Sequence, residues 1–181
     1  MLGRAIPHVI FKTRVRDDSL GGDNPFRWQD VASEEVFSKN KRIVVFSLPG
    51  AFTPTCSNEQ CPGFEQMYPL IKNEGGVDEI YCLAVNDAFV MYQWSLKLGL
   101  KQIKMLPDGS GRFTRLMGML VDKDVLGFGL RSWRYAMVVD SGVVTAWFEE
   151  AGINDDGADN DPYEVSTPDN VLEWVKANPV R

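Results

Sequence analysis

The chain has 181 residues, 44% of them hydrophobic, which is enough for one well-buried core and too little for two. Its charged fraction of 24% and aromatic fraction of 11% fit an ordinary globular chain, and no apolar run approaches the roughly 18 residues of a membrane span, so disordered, collagen-like and membrane-spanning classes are excluded. The net charge of -6 has the wrong sign for gripping a phosphate backbone over a wide surface, which argues against nucleic acid as a partner.

The N-terminal segment carries Arg4, Lys12, Arg14 and Arg16 but no apolar stretch or small-residue cleavage site of a signal peptide, and the expected location is cytoplasmic. It reads as an N-terminal strand or arm. It also holds the only histidine, His8, badly placed as the base of a Ser-His-Asp or Cys-His site. Arg42 to Leu48 is a nearly continuous apolar run closed by Pro49-Gly50, and Glu79 to Val85 is a second; both predict strands buried on two faces of a mostly parallel sheet. Between them Phe64, Met67, Tyr68 and Ile71 recur at helical spacing, with Gly75-Gly76 as the stop, which completes a βαβ unit.

The pattern repeats: Asp87 is a candidate N-cap for a helix ending at Gly99, and Ile103 to Leu106 supplies a third strand. Ala136 to Val139 and Val143 to Phe148 flank Asp140-Ser141-Gly142, a hairpin signal. The run from Glu149 to Asp161 carries six acids and no base. It reads as a solvated loop, since the glycine register of a calcium loop fails, and no metal is assigned. Thr167-Pro168 then opens a last helix with Val171, Leu172 and Val175 facing inward. The expected fold is α/β and thioredoxin-like, a central mixed sheet flanked by helices, with residues 1–181 forming a single domain.

The segment Pro49-Gly50-Ala51-Phe52-Thr53-Pro54-Thr55-Cys56-Ser57 leaves a buried strand and enters a helix, the place where sites form in open α/β sheets. Thr53 or Thr55 is a candidate cap, and Ser57 with Gln60 has capping-box spacing. Cys56 then falls in the first helical turn, where unpaired N–H groups and the helix dipole favour the thiolate. Its polar neighbours argue against a dry core position. Pro62 lacks the N–H that would tie the Cys56 turn to the helix beyond, so that turn is expected to loosen. Cys61, five positions on, would lie about 140° round a regular helix, where a disulfide would demand unwinding.

Pro49, Thr53 and Cys56 within PGAFTPTCS resemble the peroxidatic-cysteine motif of the peroxiredoxins. Val85 to Met91 (VNDAFVM), Leu106 to Gly111 (LPDGSG) and Gly127 to Tyr135 (GFGLRSWRY) resemble blocks of the atypical, fifth subfamily, in order and at fitting distances over about four-fifths of the chain. The likeness is greatest to the bacterial, glutathione-using hybrid-type branch, without the glutaredoxin domain fused to some of its members. It implies a thiol peroxidase with no cofactor, acting on hydrogen peroxide and small alkyl hydroperoxides. Cys56 would attack as a thiolate and become a sulfenic acid. Thr53 would hold the peroxide through its hydroxyl, Pro49 would shield the sulfur, and Arg134 would stabilise thiolate and developing charge. Backbone N–H groups of Gly50 and Cys56 would add peroxide contacts. Arg131, three residues before Arg134, is left as a supporting or dimer-interface residue.

Cys82 matches a cysteine of some relatives and is either a resolving cysteine or inert packing. No cysteine follows Cys82, so the C-terminal resolving cysteine of the animal-type branch has no counterpart, and glutathione with glutaredoxin is the expected reductant, with thioredoxin as the alternative. A second reading is a peroxide sensor that relays oxidation to a partner protein through Cys56 or an exposed Cys61. A third is a binding module with an inert cysteine. The resemblance also implies a homodimer, with Phe52 and Phe89 at the pocket or the dimer face.

Overall fold

The computed structural model describes residues 1–157 and 159–180, so Ala158 of the acidic stretch and the last residue of the expected domain lie outside the described residues. Five strands form the central sheet: β3 (Arg42–Ser47), β4 (Glu79–Ala84), β5 (Lys104–Pro107), β8 (Tyr135–Asp140) and β9 (Val143–Glu149), in the order β5-β4-β3-β8-β9. β3, β4 and β5 run parallel, and β8 lies antiparallel to β3, so the sheet is mixed. Every residue of β3 is buried, Arg42 and Ser47 included, as expected of a nearly continuous apolar run in a central strand.

Strand periodicity divides the core in two. Val44, Phe46 and Leu48 face one layer with Cys82 and Val138, covered by α2 (Cys61–Gly75), α3 (Ala88–Leu98) and α5 (Pro168–Ala177). Ile43 and Val45 face the other with Leu83, Met137 and Val139, covered by Phe11 of β1 (Ile10–Arg16), by Val36 of α1 (Ser33–Val36) and by Phe113 of α4 (Arg112–Leu116). The Phe46 ring stacks on Phe64 of α2 at 4.1 Å between centroids.

The caps follow the sequence. Asp87 accepts from the N–H groups of Phe89 and Val90, Thr167 accepts from Asn170, and the β8–β9 turn places Ser141 and Gly142 at φ 48° and 81°, the left-handed pair of a tight hairpin turn. Two pairings lay outside the reading of the sequence: the hairpin of β1 with β2 (Phe26–Ala32), which precedes the expected first antiparallel pair, and the short ribbon of β6 (Leu120–Asp122) with β7 (Leu130–Ser132).

Glu150, just past β9, ties down the returning chain. Its buried carboxylate accepts from the backbone N–H groups of Glu164, Val165 and Ser166 and from the Ser166 hydroxyl, at 2.8–3.0 Å. Burial alone would raise its pKa, but the hydrogen bonds from Ser166, Glu164 and Val165 outweigh burial and hold it below the ordinary value. A depressed carboxylate stabilises the fold above its unfolded value, about 4.3 for Glu, and that contribution is lost as pH falls through the folded value. Glu150→Ala is expected to cost about 2–3 kcal/mol at pH 7, and its urea midpoint should fall less than that of the wild type between pH 7 and pH 3.

Candidate active site

β3 ends at Ser47, and its register with β8 pairs Ser47 with Tyr135. Arg134, one residue before Tyr135, therefore stands beside the exit of β3, where the Pro49–Thr53 loop turns toward α2. In that loop Phe52 has φ 66° and is exposed, a left-handed conformation rarely tolerated by a bulky side chain. The Ala51 N–H donates to Asn86 Oδ1 at 2.9 Å, and the Thr53 hydroxyl donates to the Gly50 carbonyl at 2.8 Å. A Cβ on Gly50 would stand 2.5 Å from Arg131 Nη1, the far end of a flexible side chain, so the guanidinium would have to move aside.

The helix begins at Pro54 and passes at once into a π-turn, Cys56–Gln60, before continuing as α2. The Cys61 N–H bonds to the Cys56 carbonyl, the i to i+5 spacing that marks π-bulges and often accompanies functional sites. Pro62 cannot donate to a carbonyl of this turn, which accords with the expected loosening. The expected capping box does not form. Thr53 spends its hydroxyl hydrogen on Gly50, Ser57 Oγ accepts from Trp94 Nε1 at 3.1 Å, and Gln60 Oε1 accepts from Arg134. The wider turn also removes the regular-helix angle expected between Cys56 and Cys61.

Arg134 Nη1 lies 3.5 Å from Cys56 Sγ. The same guanidinium donates to Gln60 Oε1 through Nη1 and to Asp161 through Nη2, and the Tyr163 ring lies 5.6 Å from its carbon. Arg134 is buried. Burial opposes its charge, but negative charge on Cys56 and Asp161 outweighs burial and raises its pKa above the usual arginine value. Arg131 is turned elsewhere: its Nε donates to Phe128 O at 3.0 Å and its Nη1 lies 3.5 Å from Pro49 O. It braces the loop while Arg134 meets the sulfur.

The structure thus brings Pro49, Gly50, Thr53, Cys56 and Arg134 to one place. Two expectations are corrected. Cys56 is fully buried despite its polar neighbours, because the π-turn folds it onto the core beside Arg134. Cys61 is fully buried as well, so it offers no exposed thiol for relay. Cys82 lies in the same apolar layer, paired in register with Phe46. Burial, then the Cys61 thiol beside it, pushes the Cys82 thiol well up, which disfavours its thiolate. His8 is exposed and bonded to Glu34 at 2.7 Å.

The acidic stretch is also corrected. Asp159 pairs with the buried Lys123, and Asp161 with Arg134. A cavity of about 200 Å³ opens between Asp159 and Asp161 on one side, Pro49, Thr53 and Pro54 on another, and Leu126 and Phe128 on a third. Gln60, Asp161 and Tyr163 were missed as parts of the site. The four-residue spacing from Cys56 to Gln60 places both on one helix face and could have pointed to Gln60. Nothing local in sequence marks the other two.

The Redoxin family pattern matches residues 28–164. A peroxiredoxin of Rhizobium etli is 58% identical over 174 residues, covering 96% of each chain. The crystal structure of the Plasmodium falciparum antioxidant protein, a 1-Cys peroxiredoxin, superposes with a TM-score of 0.88 at 37% identity, over 97% of this chain and 99% of that one. The reduced Prx3 of Vibrio vulnificus in complex with hydrogen peroxide gives a TM-score of 0.80 at 34% identity, over 97% and 96%.

Proposed function

The chain belongs to the peroxiredoxins, thiol peroxidases of the redoxin family, and on that premise we propose that it reduces hydrogen peroxide and small alkyl hydroperoxides through Cys56, regenerated by glutathione and glutaredoxin. The observation that carries the assignment is Arg134 Nη1 at 3.5 Å from Cys56 Sγ. A fixed cation beside a sulfur favours the thiolate and cannot be titrated away near neutral pH. The thiolate attacks one peroxide oxygen. An S–O bond forms as the O–O bond breaks, the sulfur is oxidised to a sulfenic acid, and hydroxide or alkoxide leaves and takes a proton to become water or alcohol.

Thr53 has a defined part in this scheme. Its hydroxyl hydrogen is engaged by Gly50 O, so Oγ1 is left as an acceptor for the O–H of the incoming peroxide. Arg134 and the N–H groups of Gly50 and Cys56 supply donors for the oxygen that gains charge. Among these, the Cys56 N–H belongs to the first helical turn, which lacks intrahelical acceptors. Pro49, on the cavity wall, shields the sulfur from bulk water.

An external thiol as reductant is supported by the burial of Cys61 and Cys82 and by the likeness to a solved 1-Cys peroxiredoxin. Glutathione is abundant in the proposed cytoplasmic setting. We further propose a homodimer, because the site loop, α3 and β2 leave Phe52, Phe89 and Trp28 exposed, with Phe89 edge-on to Trp28 at 5.5 Å.

The test supplies wild type and Cys82→Ala with glutathione plus glutaredoxin, and separately with thioredoxin plus its reductase, and follows peroxide loss. Turnover with glutaredoxin that survives Cys82→Ala is expected, from a species sedimenting at twice the 20.3 kDa of the chain. Turnover on thioredoxin alone that Cys82→Ala abolishes would make Cys82 the resolving cysteine and overturn the reductant.

A further inference from the structure

We propose that Asp161 is a specificity-determining residue that keeps the mouth of the peroxide pocket electrically neutral and so turns away anionic peroxides. The inference rests on Cys56 being the reacting thiol.

The charges around the cavity are in balance. Two cations border it: Lys123, on the cavity wall, and Arg134, at the sulfur and paired with the cavity-lining Asp161. Lys123 and Arg134 are almost fully withdrawn from solvent. Opposite them stand Asp159 on Lys123 and Asp161 on Arg134. Two cations therefore face two anions. Remove Asp161 and a partly enclosed, low-dielectric cleft carries a net positive charge, the condition under which a site gathers anions.

Asp161 is placed to matter for substrate choice. Its side chain lines the cavity with Thr53 and Pro49 and remains 43% exposed, so its charge faces an incoming ligand as well as Arg134. It is held there: its N–H donates to Asp159 Oδ1 at 2.9 Å, and its backbone sits at φ 50°, a left-handed value that Asp tolerates better than most residues. The remaining cavity wall includes Leu126, Phe128 and Pro54, which suits an uncharged alkyl tail. The site so built admits small neutral hydroperoxides and offers no net attraction to a charged one.

Asp161→Asn keeps an oxygen that can accept from Arg134 while removing the charge. The experiment compares second-order rate constants for oxidation of the reduced protein by hydrogen peroxide, which is neutral, and by peroxymonosulfate, an anion of similar reach. At roughly 7 Å and an effective dielectric of about 40, one unit charge alters the anion's rate by up to about tenfold. The ratio of anion to neutral rate should rise by roughly that factor in Asp161→Asn and stay near the wild-type ratio in Asp161→Glu. Glu74→Gln makes the same change in net charge at the far end of α2, on the order of 20 Å from the π-turn, and should leave the ratio unchanged.

An unaltered ratio in Asp161→Asn, or an equal rise in Glu74→Gln, would overturn the inference. Failure of the underlying assignment has a different signature, since Cys56→Ser would then still react with hydrogen peroxide.

Discussion

Cys56→Ser should reduce peroxide consumption to the uncatalysed background with either reductant system, while Cys61→Ala and Cys82→Ala remain active. The serine hydroxyl is a close match in shape, but at neutral pH it is un-ionised, and no histidine lies in the site to activate it, His8 being at the surface on Glu34. The loss is therefore chemical. The substituted hydroxyl would lie where Arg134 Nη1 meets Sγ, so its buried oxygen would have a donor, and Tm is expected to stay within a few degrees of the wild type. Peroxide turnover by Cys56→Ser at a rate near that of the wild type would end the assignment. Loss of activity in Cys61→Ala with Cys56→Ser intact would move it to the neighbouring thiol.

The parts of this site that the sequence discloses are those written in short-range pattern. The strand runs before Pro49 and around Cys82 are nearly continuous apolar stretches, and the helix between them keeps its spacing through Tyr68 and Ile71, so the βαβ frame is legible. Once β3 is recognised, the loop carrying Thr53 and Cys56 falls at its exit. Arg134 reaches the same exit because β8 pairs antiparallel with β3 in the register Ser47 to Tyr135, a placement that resemblance implied and spacing alone does not give. The hairpin of β1 and β2 was harder to see. Lys12, Arg14 and Arg16 alternate with Thr13 and Val15, the period of a half-buried strand, but nothing local marks Phe26–Ala32 as its partner.

The π-turn and the acidic strap were out of reach for a different reason. Pro62 marks a loosened turn in the sequence, but its form as a π-turn over Cys56–Gln60 accompanies the meeting of Cys56 and Gln60 with Arg134, a tertiary contact. Asp159 and Asp161 looked like a solvated run because their partners, Lys123 and Arg134, lie 36 and 27 residues earlier. They are brought back by Glu150, whose N–H bonds to Arg134 O at 3.2 Å and whose carboxylate holds the Glu164 to Ser166 backbone. An acidic stretch is read correctly only when the cations it covers are known, and those are a tertiary fact.

Arg134→Ala should lower the second-order rate constant for peroxide by about 100- to 1,000-fold, the range seen when a preorganised donor is removed from a site of developing negative charge. The fold should survive at reduced stability, since the change empties a buried volume and strips Gln60 Oε1 of its donor, a loss on the order of 2–4 kcal/mol. Circular dichroism and urea melts of the same preparation separate that cost from the loss of rate. Arg134→Lys makes the test sharper. A lysine keeps the positive charge but presents one compact ammonium where the guanidinium bridges Cys56, Gln60 and Asp161 together.

If charge alone activated the sulfur, Arg134→Lys would react at close to the wild-type rate. If the fork geometry is required, it should remain at least about tenfold slower, because an ammonium engaged by the Asp161 carboxylate leaves the sulfur and the departing oxygen with fewer directed donors. The three-way grip of Arg134 on thiol, carboxamide and carboxylate favours the second outcome. A wild-type rate in Arg134→Lys would show that the site works by field strength alone.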